Sequence, residues 1–299
     1  MTVAAGVLVF SNIQLRRELK RQIELRQAER QGRIRAETKP KLEAQQETAW
    51  KVFPIATVRS VFAKRSGTPR QPGLVTAAES RIEFVPELKQ AIDSVGEFSH
   101  IWVLFLFNQN TNIAKRLKAK HPFSGLKLLV EPPKAGGKKV GVLACRTPHR
   151  PNPVGLSLCK IVRVEKAAIV VAGLDCLDGT PVIDIKPYLP IVEVVPDAIV
   201  PSWIYQGVDE DREVTVEWAC PRSLPGDAAD VSEKTLSVIE EVLSRDIRST
   251  HQIELGNRMD DDWSGEVIVG DLTVTYSVSK AKLVKIQGIH PSKSIIANS

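Results

Sequence analysis

The sequence lacks the signatures of the common nucleotide-binding folds. Its 299 residues contain no G-x-G-x-x-G segment, no Walker A segment and no regular alternation of strand and helix patterns. These absences weigh against a Rossmann fold and against a P-loop fold. Aromatic residues make up only 5% of the chain, so an extensive stacking platform for single-stranded nucleic acid is not indicated.

The N-terminus lacks an apolar run of membrane-spanning length. The apolar segment Met1–Phe10 has ten residues, whereas a spanning helix needs about 20. No basic region precedes it and no small-residue cleavage site is obvious, so we do not expect a secretory signal.

Cysteine is scarce and lacks any metal-binding spacing. The four residues Cys145, Cys159, Cys176 and Cys220 form no C-x-x-C pair, and no histidine stands at zinc-finger spacing. Three of them lie in apolar runs, where a free cysteine behaves as a small hydrophobic residue. We therefore expect four reduced, structural cysteines in a reducing compartment, and no metal site.

Charge is distributed unevenly along the chain. The net charge of +6 divides into +4 over residues 1–50, +9 over residues 51–206 and −7 over residues 207–299. A basic unit is a minimum requirement for binding a polyanion. An ordinary solvated basic surface explains the middle segment equally well.

Composition and periodicity divide the chain into three parts. Residues 1–50 form an apolar tip and a polar helical arm, which is either a solvated helix or a membrane-surface, targeting or RNA-contacting segment. Residues 51–206 hold short β-rich runs separated by Pro- and Gly-rich loops, which favours a β-barrel or sandwich. The run Ile101–Phe107 is expected to be a strand buried on both faces. The fold class is therefore mainly β.

Residues 207–299 are expected to form a small α+β unit. Ser232–Ser244 is amphipathic, and Asp230 or Ser232 can cap it. Three short alternating strand patterns follow this helix, and Gly270-Asp271 is a hairpin signal between two of them.

Two loops of the β-rich part are stiffened by proline and glycine. Gly67–Leu74 presents Arg70 and Gln71 from such a loop, and Arg146–Leu156 contains three prolines. The second loop carries four polar side chains, those of Arg146, His149, Arg150 and Asn152. Guanidinium groups bind carboxylates or phosphates, and a stiff loop loses little entropy on binding. The alternative is a pair of rigid surface turns.

Two further loops end or begin apolar strands. Asn108 and Gln109 follow an apolar run and offer amide donors and acceptors. Gly173–Tyr188 gathers charged and phenolic groups among apolar neighbours: Asp175, Asp178, Asp184, Lys186 and Tyr188. Asp184 and Lys186 stand two apart on an extended chain and face the same side, so a structural salt bridge is one interpretation. The three carboxylates could also bind Mg²⁺, although nothing requires it.

Taken in order, these segments resemble the TrmO (TsaA-like) family of tRNA (adenine-N6)-methyltransferases. The resemblance is dense over residues 51–206 and weak beyond them, and His149 and the N-terminal arm look like eukaryotic or plant-like members. The segments that carry it are Pro69–Leu74, Phe98–Trp102, Pro132-Pro133, Gly141-Val142 with Arg146, Arg150–Pro153 with Gly155-Leu156, and Asp178–Tyr188.

The resemblance implies a small β-barrel that binds S-adenosylmethionine, with homodimers that place the site near the subunit interface. It implies methylation of N6 of threonylcarbamoyl-adenosine next to the anticodon of threonine tRNA. The implied cofactor contacts are Pro72, Gly73, Leu74, Asn108, Gln109, Arg146, Leu156, Ala172, Gly173, Leu174 and Asp175. Substrate contacts are expected from Arg150, Lys186 and Tyr188.

Two positions depart from the family pattern. Asn108 stands where bacterial relatives often have histidine, and Asp246-Ile-Arg-Ser249 replaces the family segment Asp-Pro-Arg-Pro. The first changes the acceptor at that point of the site. The second changes how the C-terminal unit would meet tRNA.

The exocyclic amine of adenosine delocalises its lone pair into the ring, so a proton acceptor is needed. The candidates are His149, Asp178 and Asp184, and the sequence does not choose among them. A non-catalytic RNA-binding barrel and a family methyltransferase with another substrate remain alternatives. We expect a cytoplasmic protein, with organellar targeting by the N-terminal arm as the alternative.

Overall fold

The structure, a computed structural model, describes residues 18–34, 52–109, 125–132, 137–205, 214–224, 231–248, 250–259 and 261–292. The chain divides into two compact units, Met1–Val52 and Phe53–Ser299. The boundary predicted between residues 206 and 207 falls outside the described residues and stays a prediction.

In the first unit, residues 18–34 form helix α1, and every side chain of this helix is exposed. Two pairs of side chains four residues apart support it, with Gln22 donating to Glu18 and Arg33 donating to Glu29. The polar helical arm predicted from the sequence covers residues 11–48, and its outer parts lie outside the described residues. No described helix is long and apolar enough to cross a membrane.

The described residues of the second unit form twelve strands and four short helices. In chain order the strands are β1 (Ala56–Arg59), β2 (Glu79–Phe84), β3 (His100–Leu106), β4 (Leu129–Val130), β5 (Val140–Gly141), β6 (Val154–Glu165), β7 (Ala168–Ala172), β8 (Pro181–Pro187), β9 (Thr215–Trp218), β10 (Trp263–Val269), β11 (Leu272–Val278) and β12 (Leu283–Pro291). The helices are α2 (Pro190–Glu193), α3 (Ser202–Tyr205), α4 (Glu233–Leu243) and α5 (Thr250–Arg258). Single 3₁₀ turns lie at Pro86–Leu88, Val95–Glu97 and Val142–Ala144.

Six strands close into an antiparallel barrel in the order β1-β2-β7-β6-β3-β8. Alternate side chains of each strand point inward and fill the interior. In β3 the inward residues are Ile101, Val103 and Phe105, each at most 4% exposed. The predicted fold class, mainly β with a small barrel, is confirmed.

The prediction that β3 is buried on both faces is wrong. Its outward residues Trp102, Leu104 and Leu106 are only half-buried, so the strand alternates. An unbroken apolar run is typical of a strand covered on both sides, but here its outer face is partly open to solvent.

Within this second compact unit, the C-terminal part forms a four-stranded sheet in the order β10-β11-β12-β9, with helix α4 packed against it. We refer to the described residues from β9 to β12 as the C-terminal unit. Ser232 caps α4 by accepting a hydrogen bond from the Thr235 amide at 3.2 Å, so Ser232 rather than Asp230 is the cap. Gly270-Asp271 joins β10 to β11, as the turn signal predicts. The α+β character expected of this region is confirmed.

The loop between β1 and β2, residues 60–78, belongs to the C-terminal core as well as to the barrel. Phe62, Val75 and Ala78 are at most 3% exposed and pack in one apolar cluster with α4 and the four-stranded sheet. The C-terminal sheet therefore lies directly behind this loop. We refer to residues 60–78 as the β1–β2 loop.

Candidate active site

Antiparallel pairing brings the predicted loops to one end of the barrel. Leu106 at the end of β3 pairs with Val154 at the start of β6, and Ala172 at the end of β7 pairs with Glu79 at the start of β2. β8 begins at the same end, because Val182 near its start pairs with Phe105 near the end of β3. We call this side of the barrel the loop end.

The β1–β2 loop is joined to the turn after β7 by two glycines. The Gly73 amide donates to the Gly173 carbonyl at 2.9 Å. Gly73 and Gly173 have φ angles of +77° and +76°, which favour glycine. A Cβ on Gly173 would lie 3.2 Å from the Gly73 backbone. The β1–β2 loop and the turn after β7 therefore touch where the resemblance implies cofactor contacts.

The end of β3 is joined to the proline-rich loop before β6. The Phe107 amide donates to the Pro153 carbonyl at 2.8 Å. Arg65 of the β1–β2 loop donates to the Gln109 carbonyl at 2.5 Å. Asn108 and Gln109 therefore stand between the other two loops, and both side chains are exposed.

Arg146 connects the proline-rich loop to the β1–β2 loop. Its guanidinium donates to the Gln71 side chain at 3.4 Å, and this contact is exposed. Arg150 folds back to donate to the Cys145 carbonyl at 3.3 Å. The two arginines thus belong to one ordered loop at the loop end, with defined acceptors on both sides.

Asp175 is the predicted site residue with the most unusual environment. Burial raises the pKa of its carboxyl, while a hydrogen bond from Ser157 and the positive charge of Arg146 act in the opposite direction. The Ser157 hydroxyl donates to Asp175 at 2.5 Å. A carboxyl whose pKa is raised by burial and that lies near a guanidinium is a candidate for contact with a cationic or hydroxyl-bearing ligand.

Apolar residues also occur at the loop end. Leu156 on β6 is 48% exposed, and Pro72 and Leu74 belong to the β1–β2 loop. Leu174 is 1% exposed and packs in the barrel core, whereas Ala172 is half-buried. Their contacts with a cofactor stay predictions.

Asp178 holds the start of the β1–β2 loop. Its carboxylate accepts the Ser60 amide at 3.0 Å and lies 3.9 Å from the Arg59 guanidinium. The structure therefore gives this candidate base a structural task at the same end of the barrel.

Lys186 and Tyr188 lie toward the opposite end of the barrel, whereas Asp184 pairs with Leu104, the strand neighbour of Leu156. Asp184 and Lys186 face outward on β8 and form an ion pair at 3.0 Å, as the same-side interpretation expects. Lys186 pairs with Trp102, four residues before the end of β3, and the Tyr188 ring packs edge-on against Trp102 at 5.9 Å. The interpretation of Gly173–Tyr188 as a loop is wrong for Lys186, because the continuous strand β8 carries it. Its contact with the substrate stays a prediction.

His149 lies on the proline-rich loop and is exposed to solvent. Its amide donates to the Thr147 hydroxyl at 3.3 Å, which fixes the local turn. Of the three candidate bases, His149 is the one carried by the same loop as Arg146 and Arg150. No group of three or more His, Cys, Asp or Glu residues within the described ranges is arranged to hold a metal ion.

Two residues that hold the site together were not predicted from the sequence. Ser157 sits at an inward position of β6 and is 1% exposed, and Arg65 lies outside the motif Gly67–Leu74. A buried serine next to apolar residues on a strand is the one signal that could have indicated Ser157. Nothing in the sequence indicates its partner, because Asp175 lies beyond a strand and a turn.

Comparison with known proteins adds a family. The tRNA-methyltransferase O N-terminal domain matches residues 57–194. A Pseudomonas aeruginosa protein, provisionally named an S-adenosylmethionine-dependent methyltransferase, is 35% identical over 208 residues, which cover 67% of this chain and 83% of that protein. The Escherichia coli tRNA (adenine(37)-N6)-methyltransferase is 38% identical over 151 residues, 48% of this chain and 60% of that protein.

A solved structure gives the same result for the fold. The crystal structure of TrmO from Pseudomonas aeruginosa superposes with a TM-score of 0.58 at 27% identity, covering 82% of this chain and 98% of that chain. For several curated relatives the match spans less than two thirds of their length, 58% in one case. The closed barrel, the loops that meet at its end and the extent of these matches agree, and the chain belongs to the TrmO family of methyltransferases.

Proposed function

We propose that this chain uses S-adenosylmethionine to methylate N6 of threonylcarbamoyl-adenosine next to the anticodon of threonine tRNA. The observation that carries the proposal is the meeting of four predicted loops at the loop end, joined by the Gly73–Gly173 and Phe107–Pro153 hydrogen bonds of 2.9 and 2.8 Å. The names of the relatives support the cofactor and the reaction class.

The residues at the loop end fit this cofactor by their chemistry. Its amino-acid part carries a carboxylate and an ammonium group, and its ribose carries hydroxyls. Arg146 offers a guanidinium, and Asp175 offers a carboxyl whose pKa is raised by burial. The paired glycine backbones leave no side chain at the point where Gly73 meets Gly173, and Leu156 adds an exposed apolar surface.

When bound, S-adenosylmethionine supplies an electrophilic methyl group for direct transfer. The chain's own contribution is then positioning and the exclusion of water. Arg146 and Arg150 lie on a loop held by three prolines, so little order has to be gained when they bind. Arg146 would hold the carboxylate of the cofactor, and Arg150 would hold the carboxylate of the threonyl group and thereby orient N6.

The amine must lose a proton during transfer. The carboxylates of Asp178 and Asp184 already accept from Ser60 and pair with Lys186, respectively. We therefore assign proton acceptance to His149, which lies on the arginine-bearing loop. Replacement His149→Phe should lower kcat without raising KM for the cofactor, and an unchanged kcat would return the role to a carboxylate.

A homodimer with the site near the interface is part of the proposal. The segment after β8 is strongly apolar yet exposed: Ile191 is 89% and Ile199 94% exposed. Large apolar side chains left open in this way favour a protein–protein contact. Light scattering of the purified full chain should give twice the chain mass, and a monomer mass at micromolar concentration would contradict this.

The substrate is tested with threonine tRNA made with and without the threonylcarbamoyl group. Labelled S-adenosylmethionine and purified protein should transfer methyl to the modified tRNA and little to the unmodified tRNA. A site built to pair a carboxylate with arginines leaves charged groups unpaired when the carboxylate is missing. Equal incorporation into both would indicate a family member with another target, and no incorporation into either would indicate an RNA-binding barrel without transfer.

The tRNA backbone should be held by the basic middle segment, net +9 over residues 51–206. Binding measured at rising salt should weaken steeply, since contacts to phosphates release counterions. An affinity independent of ionic strength would contradict this part of the proposal. A cytoplasmic location, with organellar targeting by the N-terminal arm as the alternative, stays a prediction.

A further inference from the structure

The β1–β2 loop is held from behind by the C-terminal unit at its start, in its middle and at its end. The Gly270 amide donates to the Val61 carbonyl at 2.7 Å, so the loop begins against the turn of the β10–β11 hairpin. At Gly67 the chain passes so close to Val267 that a Cβ would lie 2.3 Å from the valine methyl. The barrel therefore does not shape this loop alone.

The middle of the loop reaches a buried ion pair of the C-terminal unit. Arg70 donates to the Arg248 carbonyl at 3.4 Å. The Arg248 side chain, 7% exposed, makes two hydrogen bonds of 2.8 Å with Asp246 and lies over the Trp263 ring. The carbonyl that accepts the hydrogen bond from Arg70 thus belongs to a residue whose own side chain is held by a buried ion pair.

The end of the loop is fixed by one side chain of helix α4. Glu241 accepts the Ala77 amide at 3.0 Å through one carboxylate oxygen and the Thr76 hydroxyl at 3.3 Å through the other. Thr76 and Ala77 follow Leu74 within three residues. The Glu241 carboxylate therefore sets where the Pro72–Leu74 segment leaves the loop end.

We propose that Glu241 is a positioning residue for cofactor binding, through which the C-terminal unit holds the β1–β2 loop in its binding conformation. The proposal rests on the proposed function, since it takes Pro72–Leu74 as cofactor contacts. A loop that is already ordered before binding loses little conformational entropy when the ligand binds. A carboxylate that accepts hydrogen bonds from an amide and a hydroxyl of the loop supplies such order. Glu241 itself does not need to touch the cofactor.

The chain provides a matched control one residue earlier on the same helix. The Glu240 carboxylate accepts the Trp218 indole N–H at 2.5 Å and pairs with Arg222 at 3.2 Å. Both partners belong to the C-terminal unit, and neither lies in the β1–β2 loop. Glu240→Gln and Glu241→Gln therefore make the same chemical change on the same helix, but only Glu241→Gln alters a contact with the β1–β2 loop.

The test is isothermal titration of S-adenosylmethionine into the full-length protein and its Glu241→Ala, Glu241→Gln and Glu240→Gln variants, with melting temperatures recorded for each. We expect Glu241→Ala to raise the Kd about 10-fold, the loss typical of a hydrogen bond to a charged group. Glu241→Gln keeps one acceptor oxygen, so its Kd should lie between those of wild type and Glu241→Ala. The Kd of Glu240→Gln should match that of wild type. KM for tRNA should stay unchanged in the Glu241 variants.

Hydrogen exchange gives a second measurement that needs no ligand. Loss of Glu241 should speed exchange of the Ala77 amide, while the Val58 amide, which donates to Thr180 within the barrel, should keep its rate. Equal cofactor Kd for wild type and Glu241→Ala would overturn the proposal. So would an equal loss in Glu240→Gln, which would indicate a general effect of the helix. A wild-type protein that binds no S-adenosylmethionine would instead refute the proposed function on which it rests.

Discussion

Gly73 and Gly173 lie backbone to backbone, with an amide-to-carbonyl distance of 2.9 Å and positive φ at both residues. Their hydrogen bond joins the β1–β2 loop to the turn that carries Asp175. The contact depends on the absence of a side chain, because a Cβ on Gly173 would lie 3.2 Å from the Gly73 backbone.

Gly173→Ala should therefore separate the two loops and weaken cofactor binding. The cost has two parts, a strained positive φ of about 1 kcal/mol or more and the steric contact with Gly73. Gly179→Ala is a matched control, since Gly179 has φ +75° in the same β7–β8 connection but open space at its Cβ position. Both variants should lose stability in thermal melts. Only Gly173→Ala should lose affinity for S-adenosylmethionine in titration calorimetry, and equal affinities would remove this contact from the site.

Arg146→Ala should reduce cofactor binding or methyl transfer by about 10–1000-fold, the range expected for a lost charge-assisted contact. Arg163 on the far half of β6 is a suitable control, because it is exposed and pairs with Glu79 and Glu165 on the outer barrel surface. Exposed pairs of this kind contribute little. Steady-state kinetics of both alanine variants would check the prediction, and wild-type activity in Arg146→Ala would take this residue out of the site.

Asp175→Asn should stabilise the protein at neutral pH while weakening cofactor binding. Burial raises the pKa of Asp175, so the folded chain holds this proton more tightly than the unfolded chain. The stability that the carboxyl contributes is present below its unfolded pKa and is lost as the pH rises through its raised folded pKa. Asparagine cannot ionise and keeps an oxygen that can accept from Ser157.

The measurement is the melting temperature of wild type and Asp175→Asn over a pH series from mild acid to neutral. The difference should grow in favour of Asp175→Asn with rising pH. Asp184→Asn, which removes an exposed ion pair, should not reproduce this gain. A difference that stays constant with pH would show that burial does not control this carboxyl.

Asp246→Asn should destabilise the C-terminal unit by about 3 kcal/mol, because it leaves the Arg248 guanidinium buried without its anionic partner. Asparagine tolerates the positive φ of 38° at this position, so backbone strain is not added. Lys186→Ala breaks the exposed Lys186–Asp184 pair and should cost less than about 1 kcal/mol. Urea unfolding would compare the two, and equal losses would contradict the importance of burial. Asp246 and Arg248, which stand in the segment that departs from the family pattern, thus form a buried ion pair within the C-terminal unit.

Local sequence rules were enough to define most strands, their turns and the loops that carry chemistry. Proline, glycine and alternating apolar residues act over a few neighbouring positions, so the loops at Gly67–Leu74 and Arg146–Leu156 could be identified from the sequence alone. The same rules predicted a cap at Ser232 or Asp230 and the Gly270-Asp271 turn. They failed for the outer face of β3, because an apolar run does not reveal what covers it.

Which of these residues meet depends on the tertiary structure. Lys186 and Arg146 are both basic residues in segments that the sequence indicates as loops. Strand pairing places Lys186 on the outer face of β8, while Arg146 lies at the loop end. Glu241 contacts Ala77 across 164 residues of sequence, and Ser157 reaches Asp175 across a hairpin. Such contacts depend on barrel closure and on packing of the C-terminal sheet behind the β1–β2 loop. Local sequence patterns predict neither barrel closure nor this packing, because both arise from burial of apolar surface between segments far apart in the chain.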